Sequence, residues 1–266
     1  MAGTYGLDQS WPEERDRLRI QASLFDPTTL DWCNRSGLCT GARVLELGAG
    51  EGSVARAMAE RVGPDGHVVA VDLDARFLAE GPDKPDNLDV LELNILKDPL
   101  PPGPFDLVHA RLVLSHLGEP VPLLKAWTRL LSPGGWMVIE DADWTGAERT
   151  VPPSEAWTRL IVAMREELGK RGFDWSLGFR LPGLLCEAGL TSVEARTLTY
   201  RGPGNPKEGV PGYELLAKQL SPALLESRKI DRNQYDEAIR ALRDPNIWFG
   251  ATITTARGRR ALVGQP

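Results

Sequence analysis

Glu46, Gly48, Gly50, Glu51 and Gly52 crowd into one stretch, Arg43 to Gly52, which reads R-V-L-E-L-G-A-G-E-G, and Asp72 follows 20 residues after Gly52. Glycines carry no Cβ and adopt φ > 0 at little cost, so a ligand can lie directly against the backbone of such a turn. An acid at the tip of the following strand is placed to accept hydrogen bonds from two ribose hydroxyls. The pattern therefore points to nucleoside binding. The rival reading makes Asp72 a helix-capping acid, a role that Asp74 fills as well.

The elements that must carry these residues are legible around them. Val44, Leu45 and Leu47 form an apolar run suited to a buried parallel strand, and Val54, Met58 and Val62 recur at helical spacing after the turn. His67 to Val71 is the next strand, with Asp72 at its end. A dinucleotide site uses G-x-G-x-x-G to set a pyrophosphate on a helix N-terminus. Here the spacing is G-x-G-x-G, with Glu46 before the turn and Glu51 inside it. Two carboxylates repel a pyrophosphate and suit a cation. S-adenosylmethionine meets these terms, having a ribose and an adenine, no phosphate, a sulfonium and an ammonium.

Further strands are expected at Leu88 to Leu93, Phe105 to Ala110 and Trp136 to Glu140, the last after a Ser132-Pro133-Gly134-Gly135 turn. Helices are expected from Pro12 to Phe25, broken by Asp26-Pro27, and from Thr28 to Arg35. Others are expected from Asp74 to Glu80 and from Val121 to Leu131. Strands alternating with helices imply right-handed crossovers and a parallel sheet. Beyond these, helices are expected at Pro152 to Lys170, Gly178 to Ala188 and Tyr213 to Arg243, the last interrupted at Pro222. Thr191 to Tyr200 and Ile247 to Ala256 read as closing strands, with residues 202–212 as a loop between them.

Five motifs now stand in order: E-L-G-A-G-E-G, V-V-A-V-D-L-D, L-E-L-N-I, F-D-L-V-H-A-R-L-V-L-S-H-L and L-L-S-P-G-G-W-M-V-I-E-D. Together they resemble the class I S-adenosylmethionine-dependent methyltransferases over about residues 40–142. The opening Y-G-L-D-Q-S-W-P-E-E-R-D-R-L with L-F-D-P-T-T-L resembles the bacterial small-molecule branch of that family. The resemblance implies an α/β fold: a Rossmann-like, seven-stranded, mostly parallel sheet with helices on both faces. It further implies N-terminal helices over the cofactor end (1–40), a cofactor-binding core (41–142), and a remainder (143–266) with a helical substrate cap at about 201–246 inserted into the C-terminal strand pair. It places S-adenosyl-L-methionine against Tyr5, Glu46, Gly48, Ala49, Gly50, Ser53, Asp72, Leu73, Asn94, Ile95, Ala110 and Arg111. Asn94 departs from the aspartate usual in the family, though an amide oxygen also accepts a hydrogen bond. The implied activity is methyl transfer to oxygen, nitrogen or carbon of a small, fairly apolar acceptor, in keeping with natural product biosynthesis. The alternative is a protein of the same fold that binds the cofactor and performs another reaction, such as cyclisation.

His116 lies just past the fourth strand and is the candidate catalytic base, against a rival reading as a packed wall residue. His109, inside the strand, reads as packing, and His67 as solvent-facing. Among Glu140, Asp141 and Asp143, one is a candidate base or a holder of a cationic substrate, with solvated loop acids as the alternative. Trp144, Phe173, Trp175, Tyr213 and Trp248 are the candidate acceptor-lining aromatics, with ordinary core as the alternative.

Composition bounds the rest. The 266 residues are 42% apolar, enough for one large domain or a domain with a cap, and 31 basic against 37 acidic side chains give a net charge of −6. That balance argues against nucleic acid as a partner. Cys33, Cys39 and Cys186 have neither disulfide nor zinc spacing, and with three histidines no metal site is expected. No signal peptide is legible and no apolar run reaches about 18 residues, so a cytoplasmic protein off the membrane is expected. A homodimer is left open.

Overall fold

The computed structural model of the protein describes residues 7–79, 84–204 and 212–262. Tyr5 lies outside them. The centre is β1 (Arg43–Leu47), whose Val44, Leu45 and Leu47 are fully buried. The glycine turn leads from it into α2 (Ser53–Val62), which buries Val54, Ala55, Met58, Ala59 and Val62 on one face. Burial of Val54, Met58 and Val62 contributes about 1.5–3 kcal/mol each through removal from water. Then come β2 (His67–Asp72), the short α3 (Arg76–Ala79), β3 (Leu88–Glu92) and β4 (Phe105–Arg111). A 3-10 turn at Leu114–His116 and α4 (Pro120–Leu130) lead into β5 (Leu131–Ala142).

The seven strands run in the order β3-β2-β1-β4-β5-β7-β6, where β6 is Thr191–Pro203 and β7 is Trp248–Arg259. The first five are parallel, and β7 is antiparallel to both of its neighbours. Chain order reverses between β1 and β4, the switch point outside whose strand ends ligands of open α/β sheets bind. Helices α5 (Glu155–Gly169) and α6 (Leu177–Glu187) precede β6, and α7 (Tyr213–Glu226) and α8 (Arg232–Leu242) lie between β6 and β7. The last pair does not pack on the sheet core. With α5, Trp144 and Phe249 it forms a separate apolar cluster that also takes in Leu7. Among the described residues no helix is long and apolar enough to cross a membrane.

Three local expectations give way to tertiary contacts. Asp26-Pro27 does not break the first helix: α1 runs unbroken from Glu14 to Asn34 with Pro27 inside it. Side chains on both sides of the proline are anchored, Asp26 by the Arg111 guanidinium at 2.7 Å and Thr29 by the same group at 2.8 Å. Pro222 likewise sits inside α7, which is held by buried Ala217, Leu220 and Leu224. The break falls at residues 227–231, where Arg228 takes φ +55° and Asp231 opens α8 with a reciprocal cap to Gln234. The Ser132–Gly135 turn is a bulged start of β5, which already pairs with Phe105 at Leu131.

Candidate functional site

At the carboxyl ends of β1 and β2 the chain builds a turn whose amides face the second strand. Gly48 and Gly50 have φ of +72° and +57°. A Cβ on Gly48 would stand 2.2 Å from Val113 Cγ2, so the loop after β4 lies directly on this turn. The Asp72 carboxylate accepts from Gly50 N at 2.7 Å, Asp74 N at 3.0 Å and Gln9 Nε2 at 3.2 Å. Burial pushes its pKa up, and those donors pull against the shift. Asn94 also lies here; its Oδ1 accepts from Leu96 N at 2.9 Å.

One cavity of about 240 Å³ runs from this turn toward the cap. Its near wall includes Gly48, Gly50, Asp72, Leu73, Asn94 and Ile95. Its far wall includes Ser115, His116, Asp141, Trp144, Phe173 and Tyr213. The far rings form a ladder: His116 to Phe173 at 4.8 Å between centroids, Phe173 to Trp144 at 5.5 Å, and Trp144 to Tyr213 at 6.1 Å. The N-terminal segment closes one side through Leu7, Gln9, Glu14, Arg17 and Leu18. It is tied to α7 by Lys218 Nζ to Glu13 at 2.6 Å and Gln219 Nε2 to Asp8 O at 2.7 Å.

Known proteins share both the sequence pattern and this architecture. Residues 45–137 match a family described as a methyltransferase domain. Methyltransferase str3 of Strobilurus tenacellus is 33% identical over 189 residues, 68% of this chain and 64% of that protein, so the chain spans just under two thirds of this relative. Phosphoethanolamine N-methyltransferase 2 of Haemonchus contortus, solved with S-adenosyl-L-methionine, superposes with a TM-score of 0.60 at 17% identity over 95% of this chain and 59% of that one. The [4+2]-cyclase SpnF superposes with a TM-score of 0.50 at 15% identity, over 98% of this chain and 87% of that one. Residues 45–137 carry a methyltransferase domain, on the fold of the solved neighbour that binds S-adenosyl-L-methionine.

The residues of this methyltransferase domain fit such a ligand. A Cβ built on Gly50 would meet only Leu18, at 3.4 Å, so its backbone is approachable. Behind the turn, Glu46 is buried, and its Oε2 has no hydrogen-bond partner among the described residues. A buried carboxylate oxygen left in that state favours a nearby cation. Glu46 does not line the cavity; it faces the ring of His109, with Oε1 3.5 Å from Nδ1, an ion-pair distance rather than a formed hydrogen bond. His109 Nε2 lies 3.4 Å from Glu140 Oε1, and Thr255 Oγ1 donates to Glu140 Oε2 at 3.0 Å. Burial pulls the His109 pKa down, but the two glutamates outweigh it and hold the ring above the usual histidine value.

The methyltransferase cavity brings together Gly48, Gly50, Asp72, Leu73, Asn94, Ile95, Arg111, His116, Trp144, Phe173 and Tyr213 from the sequence expectations. Ala49 and Ser53 sit in the turn and first helical position without lining it, and Ala110 is sealed within β4. Arg111 also pins α1 through Asp26 and Thr29. Two aromatics expected at the acceptor lie elsewhere. Trp175 is half-exposed beneath the Arg165 guanidinium, and Trp248 is half-exposed and bridged to Val151. His116 does not suit the role of base. Burial and the nearby Arg17 charge lower its pKa to about 3, so the ring stays neutral and accepts a proton poorly. Glu14 and Arg17 escape a sequence reading. An acid and a base three residues apart look like a solvated pair, yet here both are buried and joined at 2.6 Å.

Proposed function

We propose that the chain moves a methyl group from S-adenosylmethionine to a small, fairly apolar acceptor held between the glycine turn and the cap formed by α7 and α8. The supporting observation is the single cavity that joins Asp72 and the open glycine backbone to an aromatic far wall. S-adenosylmethionine supplies an electrophilic methyl carbon on a positively charged sulfur. The protein's part is alignment and exclusion of water. In this reading Asp72 takes the ribose hydroxyls, Asn94 and the Ile95 N–H meet the adenine, and Gly48, Gly50, Leu73 and Arg111 surround the rest. Glu46 sets the negative field behind the turn. Trp144, Phe173 and Tyr213 orient the acceptor, and His116 is a wall residue.

The test is transfer of labelled methyl from S-adenosylmethionine to a panel of small acceptors, with mass spectrometry of the products. A product heavier by one methylene supports the reading; a rearranged product of unchanged mass assigns the cyclisation alternative. Asp72→Ala removes charge-assisted bonds worth about 1.5–3 kcal/mol each. Calorimetric affinity for S-adenosylhomocysteine is expected to fall about tenfold or more. Some of that loss comes from the turn itself, because Asp72 also holds the Gly50 amide. Unchanged affinity removes Asp72 from the site.

His116→Asn is expected to leave the pH–rate profile unchanged and turnover within about threefold, while lowering stability by about 1 kcal/mol for lost packing on Phe173. Loss of an acidic limb in that variant returns the histidine to a role as base.

A further inference from the structure

The far wall of the cavity is apolar and aromatic except at one place. Asp141, at the end of β5, is completely buried and lines the chamber beside Ser115 and His116. Its Oδ2 accepts from Ser115 N at 3.0 Å and its Oδ1 from Ala142 N at 2.9 Å. A carboxylate offers about four lone-pair sites; the Ser115 hydroxyl and the Leu114 amide also act on this one, and of these donors the rotatable hydroxyl is the one a ligand hydroxyl can replace. Of the other charged groups lining the chamber, Arg17 donates to both oxygens of Glu14 at 2.6 and 2.8 Å, Arg111 is held by Asp26, and Asp72 and Asp74 lie at the tip of β2 by the glycine turn. Asp141 is thus the acid that a molecule against Phe173 and Trp144 meets.

We propose that the acceptor is a neutral apolar molecule presenting a hydroxyl to Asp141, and that Asp141 takes the hydroxyl proton during methyl transfer. This rests on the methyltransferase reading above and names its substrate class. The acceptor oxygen bonds to the methyl carbon as the carbon–sulfur bond breaks. The bonding pair stays on sulfur, giving S-adenosylhomocysteine, and the acceptor proton moves to Asp141 and then to solvent with product release.

The chemistry favours oxygen for a definite reason. A hydroxyl becomes strongly acidic as it is methylated, so even a weak base takes its proton in the transition state. An amine reacts through its free base, and a carboxylate in an apolar chamber would hold it instead as the unreactive ammonium. A carboxylate or phosphate acceptor would add a second negative charge next to Asp141. Burial raises the Asp141 pKa to about 6, against the pull of the Ser115 and Ala142 donors. An acid perturbed in this way and kept on a cavity wall is characteristic of functional sites.

Calorimetry on the protein saturated with S-adenosylhomocysteine tests this with two probes of one shape, 2-naphthol and 2-naphthoate. The wild type is expected to bind the naphthol about tenfold tighter or more, and Asp141→Asn to narrow that gap to about threefold or less with S-adenosylhomocysteine affinity unchanged. Labelled-methyl transfer to 2-naphthol is expected to fall about 100-fold in the same variant. Equal or tighter binding of naphthoate, failure of both probes to bind, an undiminished gap in Asp141→Asn, or no drop in transfer overturns the proposal. If Asp141→Asn does not fold, Asp141→Ser is the second variant, since it removes the carboxylate without setting an amide N–H against the Ser115 or Ala142 N–H. Failure of S-adenosylhomocysteine itself to bind would strike the methyltransferase reading instead, and is read first.

Discussion

Trp157→Ala is expected to cost about 3–5 kcal/mol, the range for deleting a large buried aromatic. Trp157 is fully buried on α5 and donates from Nε1 to Ala147 O at 2.7 Å. Its ring lies 4.9 Å from Tyr213 on α7 and 5.3 Å from Phe249 on β7. It therefore joins the cap to the start of β7. The two clusters flanking the sheet contain neither Trp157 nor any residue of α7 or α8. The loss should accordingly fall on the cap first, and a urea melt should separate an early transition from the main one. Trp157→Phe keeps most of the packing and loses the indole bond, for about 0.5–1.5 kcal/mol. A single unchanged transition in Trp157→Ala, or a cost under about 1 kcal/mol, would mean that the cap does not depend on this contact. Removing α7 and α8 would likewise leave Trp157, Leu160, Ile161 and Met164 facing water.

What the sequence makes legible is what short-range physics decides. The strand, glycine turn and helix from Arg43 to Val62 declare themselves by periodicity and by residues that few other conformations accommodate. Asp72 is readable because its place depends on a count of residues along the same unit. The continuity of α1 is not readable, because the group that holds Asp26 and Thr29 on either side of Pro27 is Arg111, 85 and 82 residues away. His116 shows the same limit in the site. Its residue type suggests a base, but its protonation is set by burial and by Arg17, which approaches from another part of the chain. Trp175 and Trp248 carry the side chains expected of an acceptor wall, and only the direction of their backbone turns them out toward solvent. Asp141 stood among three acids after the fifth strand. Alternation along β5 puts Glu140 under α1 with His109 and Asp141 on the opposite face, against the strap that carries Ser115.

His109→Leu is expected to destabilise the fold by about 3–5 kcal/mol near neutral pH, because it leaves Glu46 and Glu140 buried without their shared partner. The pH dependence identifies the cause. In the wild type the His109 pKa is raised, so its contribution is fully present below about pH 6.5 and is lost as pH rises through the folded value. The Glu140 pKa is lowered: burial raises it, and His109, Arg111 and Thr29 more than offset that. Its contribution is present above about pH 4.5 and lost as pH falls through the folded value. Together the two groups favour the fold most between about pH 4.5 and 6.5. Without the imidazole, burial acts on Glu140 with less to oppose it and pushes its pKa up, and a raised carboxyl loses stability as pH rises. The penalty of His109→Leu should therefore grow from about pH 4.5 to about pH 6.5 and level off or shrink as the pH rises through the folded His109 value, measured as the difference in guanidinium midpoints between variant and wild type. Taking that difference cancels Asp141 and Asp72, whose own raised values act equally in both proteins. The Cys33 thiol beside the cluster, raised by burial and by both glutamates, does not titrate in this window. A penalty independent of pH would mean that the imidazole merely fills space between two protonated acids, and His109→Gln, which keeps volume and a hydrogen-bond donor but no charge, would then restore the wild-type midpoint.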